Sequence, residues 1–227
     1  MWASGTEWDE PLNTELHEQT CHWFAELSTV AQIYIPRCLR LSAVEALESI
    51  ELHVFGDASA DAYGAVAYTR CVYAIGSVLY HFVCAKSKVA PSESISIPRL
   101  RLIAALLALR LGTYVAKALD IELLRVTFWS DRMNVLCWIR NPSHTYKPFV
   151  ANRIGEIQRL TAPDHWKYVP TKQNPANIAS RGISVSKLAC ESLWWNGPEF
   201  LMLPKGQWPN RSVENDERVF GEVRKSS

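Results

Sequence analysis

Two aspartates stand where acids can act together. Asp57 follows the apolar run Leu52, Val54 and Phe55, and Gly56-Asp57-Ala58-Ser59 leaves that run through small residues. Tyr63-Gly64-Ala65-Val66-Ala67-Tyr68 then reads as a return strand, which puts Asp57 at the lip of a hairpin. Asp131 has a similar setting, because Leu123 to Trp129 reads as a buried strand that ends in Ser130-Asp131. A crossover helix between strands of one sheet makes them parallel, so both acids belong on the same edge. An aspartic-protease reading of Asp57-Ala58-Ser59 fails. The Thr/Ser-Gly that shapes that active loop is missing, and only one copy of the motif is present.

The elements that must position these acids follow in order. Residues 1–47 open with a Trp-rich loop, and Asn13 or Thr14 then caps a helix whose Leu16, Trp23, Phe24 and Leu27 fall on one broad face to be packed on a neighbour. Ile33-Tyr34-Ile35-Pro36-Arg37 is a short extended run ended by proline, and 42–49 is a weakly helical or loop connection. Ser77 to Ala85 supplies a third strand, with Lys86 and Lys88 beside the loop that follows. The spacing of Leu100, Ile103, Leu107, Leu111 and Val115, with Pro98 in the first turn, predicts a buried helix from Pro98 to Leu119. Met133 to Arg140 and Lys147 to Leu160 are further helices, Trp166 to Val169 is a last strand, and a short helix runs through Ser180. The chain is therefore α/β, in a βββαβ pattern. We expect 1–47 as an N-terminal connection segment, 48–185 as the main domain, and 186–227 as a linker with a charged, disordered tail from Arg211.

Composition bounds the partners. With 227 residues, 48% hydrophobic and 21% charged, the chain can bury one sizeable core. A formal net charge of +1 provides no global basic field, so a nucleic-acid partner would have to be held by a local patch. The 6 cysteines include no Cys-x-x-Cys pair and no zinc spacing, and they read as reduced core thiols. No stretch approaches the ~20 apolar residues of a membrane span, and the N-terminus has no signal pattern. An intracellular protein, cytoplasmic or nuclear, is the expectation.

Five separated blocks then agree in order with one family: FGDAS with AYGAV, AKSKVAPSESISIPRLRL, FWSDRMNVLCWI, FVANRIGEIQ and VPTKQNPANIASRG. This stretch, from about 48 to 184, resembles the ribonuclease H domain of Bel/Pao-type retrotransposon polyproteins. The flanks, WDEPL with IPRCL and then LWWNGPEFL, resemble the segments that join that domain to the reverse transcriptase and the integrase. The resemblance implies a fragment of a polyprotein with a ribonuclease H-like fold, a five-stranded mixed sheet flanked by helices. It further implies cleavage of the RNA strand of an RNA–DNA hybrid with two magnesium (or manganese) ions, held by four carboxylates. Two such ions ~4 Å apart would clamp the attacking water and the leaving oxygen.

Carried over by motif, the first acid is Asp57 and the third is Asp131, and both are retained. The family writes the second as Pro-Arg-Leu-Glu-Leu, where this chain has Pro98-Arg99-Leu100-Arg101-Leu102; the fourth lies in Asn-Pro-Ala-Asp, where it has Asn174-Pro175-Ala176-Asn177. Asn177 keeps an oxygen that can ligate metal, whereas Arg101 has no acceptor and stays charged. At ~5 Å and an effective dielectric of about 20, that charge opposes a divalent ion by roughly 6 to 7 kcal/mol at the upper end. These departures lead us to expect at most one weakly held ion at Asp57, Asp131 and Asn177 and little or no hydrolysis, with Arg101 either paired with one of the aspartates or, with its basic neighbours, holding a phosphate.

Lys86, Lys88, Arg99, Arg132, Lys172 and Arg181 lie near the presumed rim and are the candidates for phosphate contacts, with Lys147 beside them. Ser59 and Ser130 read as turn residues. The partner implied is nucleic acid, an RNA–DNA hybrid, with neither a membrane nor a small-molecule substrate. Three functional readings follow. The first is a pseudoenzyme that binds without cutting. The second is an active hybrid ribonuclease, for which Glu93 is the nearby acid able to replace the lost one. The third is a decayed element fragment.

Overall fold

The computed structural model describes residue 7 and residues 9–35, 46–93, 95–212 and 221–223. In chain order the helices are α1 (Thr14–Val30), α2 (Ile97–Ala118), α3 (Met133–Arg140), α4 (Pro148–Leu160), α5 (Ala176–Arg181), α6 (Val185–Cys190) and α7 (Ser192–Asn196). The strands are β1 (Leu47–Ala58), β2 (Ala62–Tyr73), β3 (Val78–Val89), β4 (Val126–Ser130) and β5 (Trp166–Tyr168). The chain divides into two units, Met1–Arg37 with Ile183–Glu191, and Cys38–Gly182 with Ser192–Ser227. The expected N-terminal Trp-rich loop at 1–6 and 8, the Pro36-Arg37 end of the extended run, 42–45 of the connection, and 213–220 and 224–227 of the tail lie outside the described residues.

The larger unit is built on a five-stranded mixed sheet in the order β3-β2-β1-β4-β5. β1 pairs antiparallel with β2 and β2 with β3, while β4 is parallel to β1 and β5 is parallel to β4. This is the expected five-stranded mixed sheet flanked by helices. Two local expectations need correction. The third strand continues to Val89, so Lys86 and Lys88 are exposed strand residues rather than loop neighbours. The fourth begins only at Val126, because 123–125 forms a 3-10 turn that feeds it.

Alternation along β1 sends Leu52, Val54 and Gly56 to one face and His53, Phe55 and Asp57 to the other. The first face is covered by α2, whose Leu100, Leu107, Leu111 and Val115 are buried as the spacing predicts, while Ile103 is half-buried. The helix also carries a strip of small residues, Ala104, Ala108 and Gly112, which lets it approach the strands closely. A Cβ added at Gly56 would lie 3.0 Å from the Ala104 carbonyl oxygen. That approach brings the first turns of α2 to the end of β1.

On the second face, Phe55, Val66, Tyr68 and Trp129 pack against Phe200, Leu201 and Trp208. The segment beyond 191, expected as a linker, therefore supplies part of this layer. Polar bonds hold it in place: Arg70 Nε donates to the Leu201 carbonyl at 2.7 Å and Arg70 Nη1 to Glu51 at 3.1 Å. Lys205 reaches the other Glu51 oxygen at 2.5 Å. Burial alone would raise the Glu51 pKa, but His53 and Lys205 beside it bring it down to about 2. The tail returns as well, since Arg99 forms a two-pronged pair with Glu222 at 2.7 and 3.0 Å.

In the smaller unit, Asn13 Oδ1 accepts from the Leu16 N–H at 2.8 Å and starts α1. The expected burial of its apolar face is not found. Trp23 and Phe24 are 54% and 61% exposed, and no α1 residue is buried. Within this unit its neighbour is α6, and a helix of 6 residues is too short to cover one of 17. The cysteines also differ from expectation: Cys71 and Cys137 are buried, but Cys21 and Cys190 are exposed.

Close approach also seats α5. A Cβ at Gly64 of β2 would lie 2.6 Å from the Ala179 Cβ, a separation the backbones cannot absorb without moving apart. Gly64→Val is therefore expected to destabilise the protein by about 1–3 kcal/mol, the usual cost of overpacking. Urea unfolding checks this, and an unchanged midpoint would contradict the packing.

Candidate functional site

The parallel register of β1 and β4 pairs Gly56 with Ser130, so the next residue on each strand brings Asp57 and Asp131 side by side. Both side chains are wholly buried, at 0% exposure. Two carboxylates removed from water at close range repel each other. Burial first, and then the neighbouring Asp131, raise the Asp57 pKa above its ordinary value. The Ser180 hydroxyl, the Ala58 N–H and Arg132 pull the other way. Ser180 Oγ donates to Asp57 Oδ2 at 2.9 Å.

The cation at these acids is Arg132, not Arg101. Arg132 Nε lies 3.1 Å from Asp131 Oδ1 and 4.0 Å from Asp57 Oδ1. The expectation that Arg101 pairs with an aspartate is therefore corrected: among the described residues it has no ion pair. It stands in the second turn of α2, three residues before Ala104, where the helix meets Gly56 of β1. It still lies in their field. Burial lowers its pKa, Arg132 and Arg181 lower it further, and Asp57 and Asp131 oppose this. Arg101 Nε is buried and has no hydrogen-bond partner.

Asn177 stands in the first turn of α5. Its Nδ2 donates to the Thr171 carbonyl, while its Oδ1 is buried and unpartnered. Its connection to the acids runs through Ser180, three residues on along the same helix face. Ser180 was not singled out from the sequence, though that helical spacing from Asn177 would have pointed to it. Asn174 Nδ2 donates to the Gly56 carbonyl at 3.3 Å and its Oδ1 accepts from the Ala176 N–H, so it braces α5 against β1. Ser59 stands in the turn after β1, whereas Ser130 is the last residue of β4: Ser59 Oγ donates to the Ser180 carbonyl at 2.6 Å, and Ser130 Oγ accepts from the Arg132 N–H.

The candidate phosphate contacts divide into two groups. Lys86, Lys88, Lys172 and Arg181 are exposed. Lys88 is paired with Tyr63, which is paired with Ala58, so this lysine lies in the strand row next to Asp57. Arg99 is occupied by Glu222 and stacks over Phe149, and Lys147 Nζ donates to the Gly221 carbonyl at 2.7 Å. Arg132 is turned inward onto the acids. Glu93 stays exposed in the connection before α2.

A pair of magnesium ions needs hard oxygen donors whose negative charge offsets theirs. This site offers two carboxylates, with one guanidinium group against them and a second in their field, and one amide oxygen. Among the described residues no group of three or more His, Cys, Asp or Glu side chains is placed to hold a metal ion. The donors present do not fit a two-ion centre.

The raised Asp57 pKa carries a consequence for stability. A carboxyl whose folded pKa lies above its ordinary 3.8 penalises the folded state when charged, and the penalty fades as pH falls through the folded value. Asp57→Asn should therefore unfold at a higher temperature than wild type at neutral pH, with the difference shrinking as pH approaches 3.8. Melting curves across that range provide the check. A less stable Asn variant at neutral pH would mean that the charge is held favourably.

A family model described as "Pao retrotransposon-like RNaseH-like domain" matches residues 1–132. A comparison with curated proteins found no match. Similar solved structures include the N-terminal RNase H domain of Rv2228c from Mycobacterium tuberculosis, at 14% identity and TM-score 0.40, covering 63% of this chain and 99% of that one. Another is LC11-RNase H1 in complex with an RNA/DNA hybrid, at 14% identity and TM-score 0.38, covering 62% of this chain and 99% of that one. RNase H1 from the halophilic archaeon Halobacterium salinarum is similar at 13% identity and TM-score 0.34, covering 57% and 96%. The matched residues include β1 to β4, α2 and both retained aspartates, and the chain belongs to the Pao retrotransposon-like RNaseH-like domain family.

Proposed function

We propose that this domain binds nucleic acid, an RNA–DNA hybrid, while cutting it weakly or not at all. The observation that carries the reading is the charge at Asp57 and Asp131. Arg132 lies against them and Arg101 lies in their field, so the cluster keeps no net negative charge with which to draw divalent ions. Magnesium or manganese would gain little from exchanging its water shell for such a site. A phosphodiester is attracted where the ion is not, because Arg181 adds positive charge beyond that balance.

Lys86, Lys88, Lys172 and Arg181 are the side chains we assign to phosphate contacts, since each is exposed. Arg99 leaves the set because Glu222 already neutralises it. Binding through a handful of such groups falls steeply with salt and reads no sequence. An origin in a retrotransposon polyprotein fits the family, and reverse transcription is the setting in which hybrids arise.

The test uses the purified chain and an end-labelled RNA–DNA hybrid in magnesium or manganese. We expect salt-sensitive binding with the RNA strand left intact, and at least tenfold weaker binding for the double variant Lys86→Glu, Lys88→Glu. RNA cleavage that disappears in Asp57→Asn would overturn the inactive reading. Failure to bind at low salt would overturn the binding reading and favour a decayed fragment.

A further inference from the structure

Arg132 follows Asp131 directly, at the turn between β4 and α3, where an arginine would ordinarily extend into water. Here it does not. Its side chain is only 24% exposed, and Nε lies within 4.0 Å of an oxygen from each aspartate. Three of the four carboxylate oxygens, Asp57 Oδ1 and both of Asp131, are buried and accept no hydrogen bond, and Arg132 Nε donates none. The contact is thus an ion pair maintained by charge and by burial rather than by a formed hydrogen bond. A cation is needed there in any case, because two fully buried neighbouring carboxylates without one would be expensive to keep ionised.

We infer that Arg132 is a tethered counter-cation, which takes up the place facing both Asp57 and Asp131 and so keeps divalent ions out. This deepens the reading above by naming the residue that closes the site. Arg101 is secondary: among the described residues it pairs with no carboxylate, and it acts only through its field. A divalent ion must displace a group attached one residue away from its own ligand, and that group returns whenever the ion leaves. The substitution that occupies the position of a lost acid is therefore not the one that closes the site.

Manganese binding to the full chain, followed by the electron paramagnetic resonance of the free ion, reads this without reference to cleavage. Its failure is consequently distinct from a failure of hybrid binding. Arg132→Gln should bind one manganese ion at least tenfold more tightly than wild type, and the gain should vanish when Asp57→Asn is added. Arg132→Lys, which keeps the charge, should behave as wild type. Arg101→Gln should gain less than Arg132→Gln. Equal manganese affinity in wild type and Arg132→Gln, or a larger gain for Arg101→Gln, overturns the inference. Should Arg132→Gln not fold, Asp131→Asn decides instead. Released from its partner, Arg132 should react with phenylglyoxal several-fold faster than in wild type, as followed by mass spectrometry, and an unchanged rate overturns the inference.

Discussion

Two buried carboxylates on adjacent parallel strands impose the constraint on which the rest of this structure turns. Once Gly56 pairs with Ser130, Asp57 and Asp131 must be neighbours, and neither is reached by solvent. Proteins resolve such a pair by protonation, by a bound cation, or by a cation of their own. This chain uses the last: Arg132 lies against both acids and Ser180 donates to one of them. The family pattern that this sequence resembles implies cations taken from solution, and on our proposal the source of the positive charge has changed.

Close backbone approach is what holds this cluster together. Ala104, Ala108 and Gly112 let α2 lie low on the sheet, which fixes how near Arg101 comes to the acids. Gly64 does the same for α5 on the opposite face, and so sets the position of Ser180 and Asn177. At the other end of β1 the polar problem is solved in reverse: a single carboxylate, Glu51, is approached by Arg70, Lys205 and His53. That cluster secures the 199–208 segment over Phe55 and Trp129, so the second face of the sheet is covered by chain from beyond the last helix of the main fold.

Much of this was legible in the sequence. The apolar run before Asp57, the helical repeat in 100–115 and the strand ending at Ser130 are strong local signals, and they predict the sheet edge that carries both acids. Side-chain direction was not legible. Arg132 reads as a rim residue available to phosphate, and only the tertiary structure shows that it points inward. Arg101 attracted attention because it replaces an acid, yet distance decides which cation matters. Lys86 and Lys88 lie in strand because β2 offers them partners up to Ala62, a long-range pairing that local propensity does not encode. The burial of Phe200 and Leu201 is likewise a tertiary fact, since Pro198 and Pro204 on either side read as linker punctuation.

The central claim is that the protein's own guanidinium groups, and not metal, balance Asp57 and Asp131. Crystals of the wild-type chain grown or soaked in millimolar manganese test it most directly through the anomalous signal of that ion. The account predicts the Arg132 guanidinium in density beside both carboxylates and no manganese peak between them. A manganese ion ligated by Asp57 and Asp131, with Arg132 turned out to solvent, would contradict it.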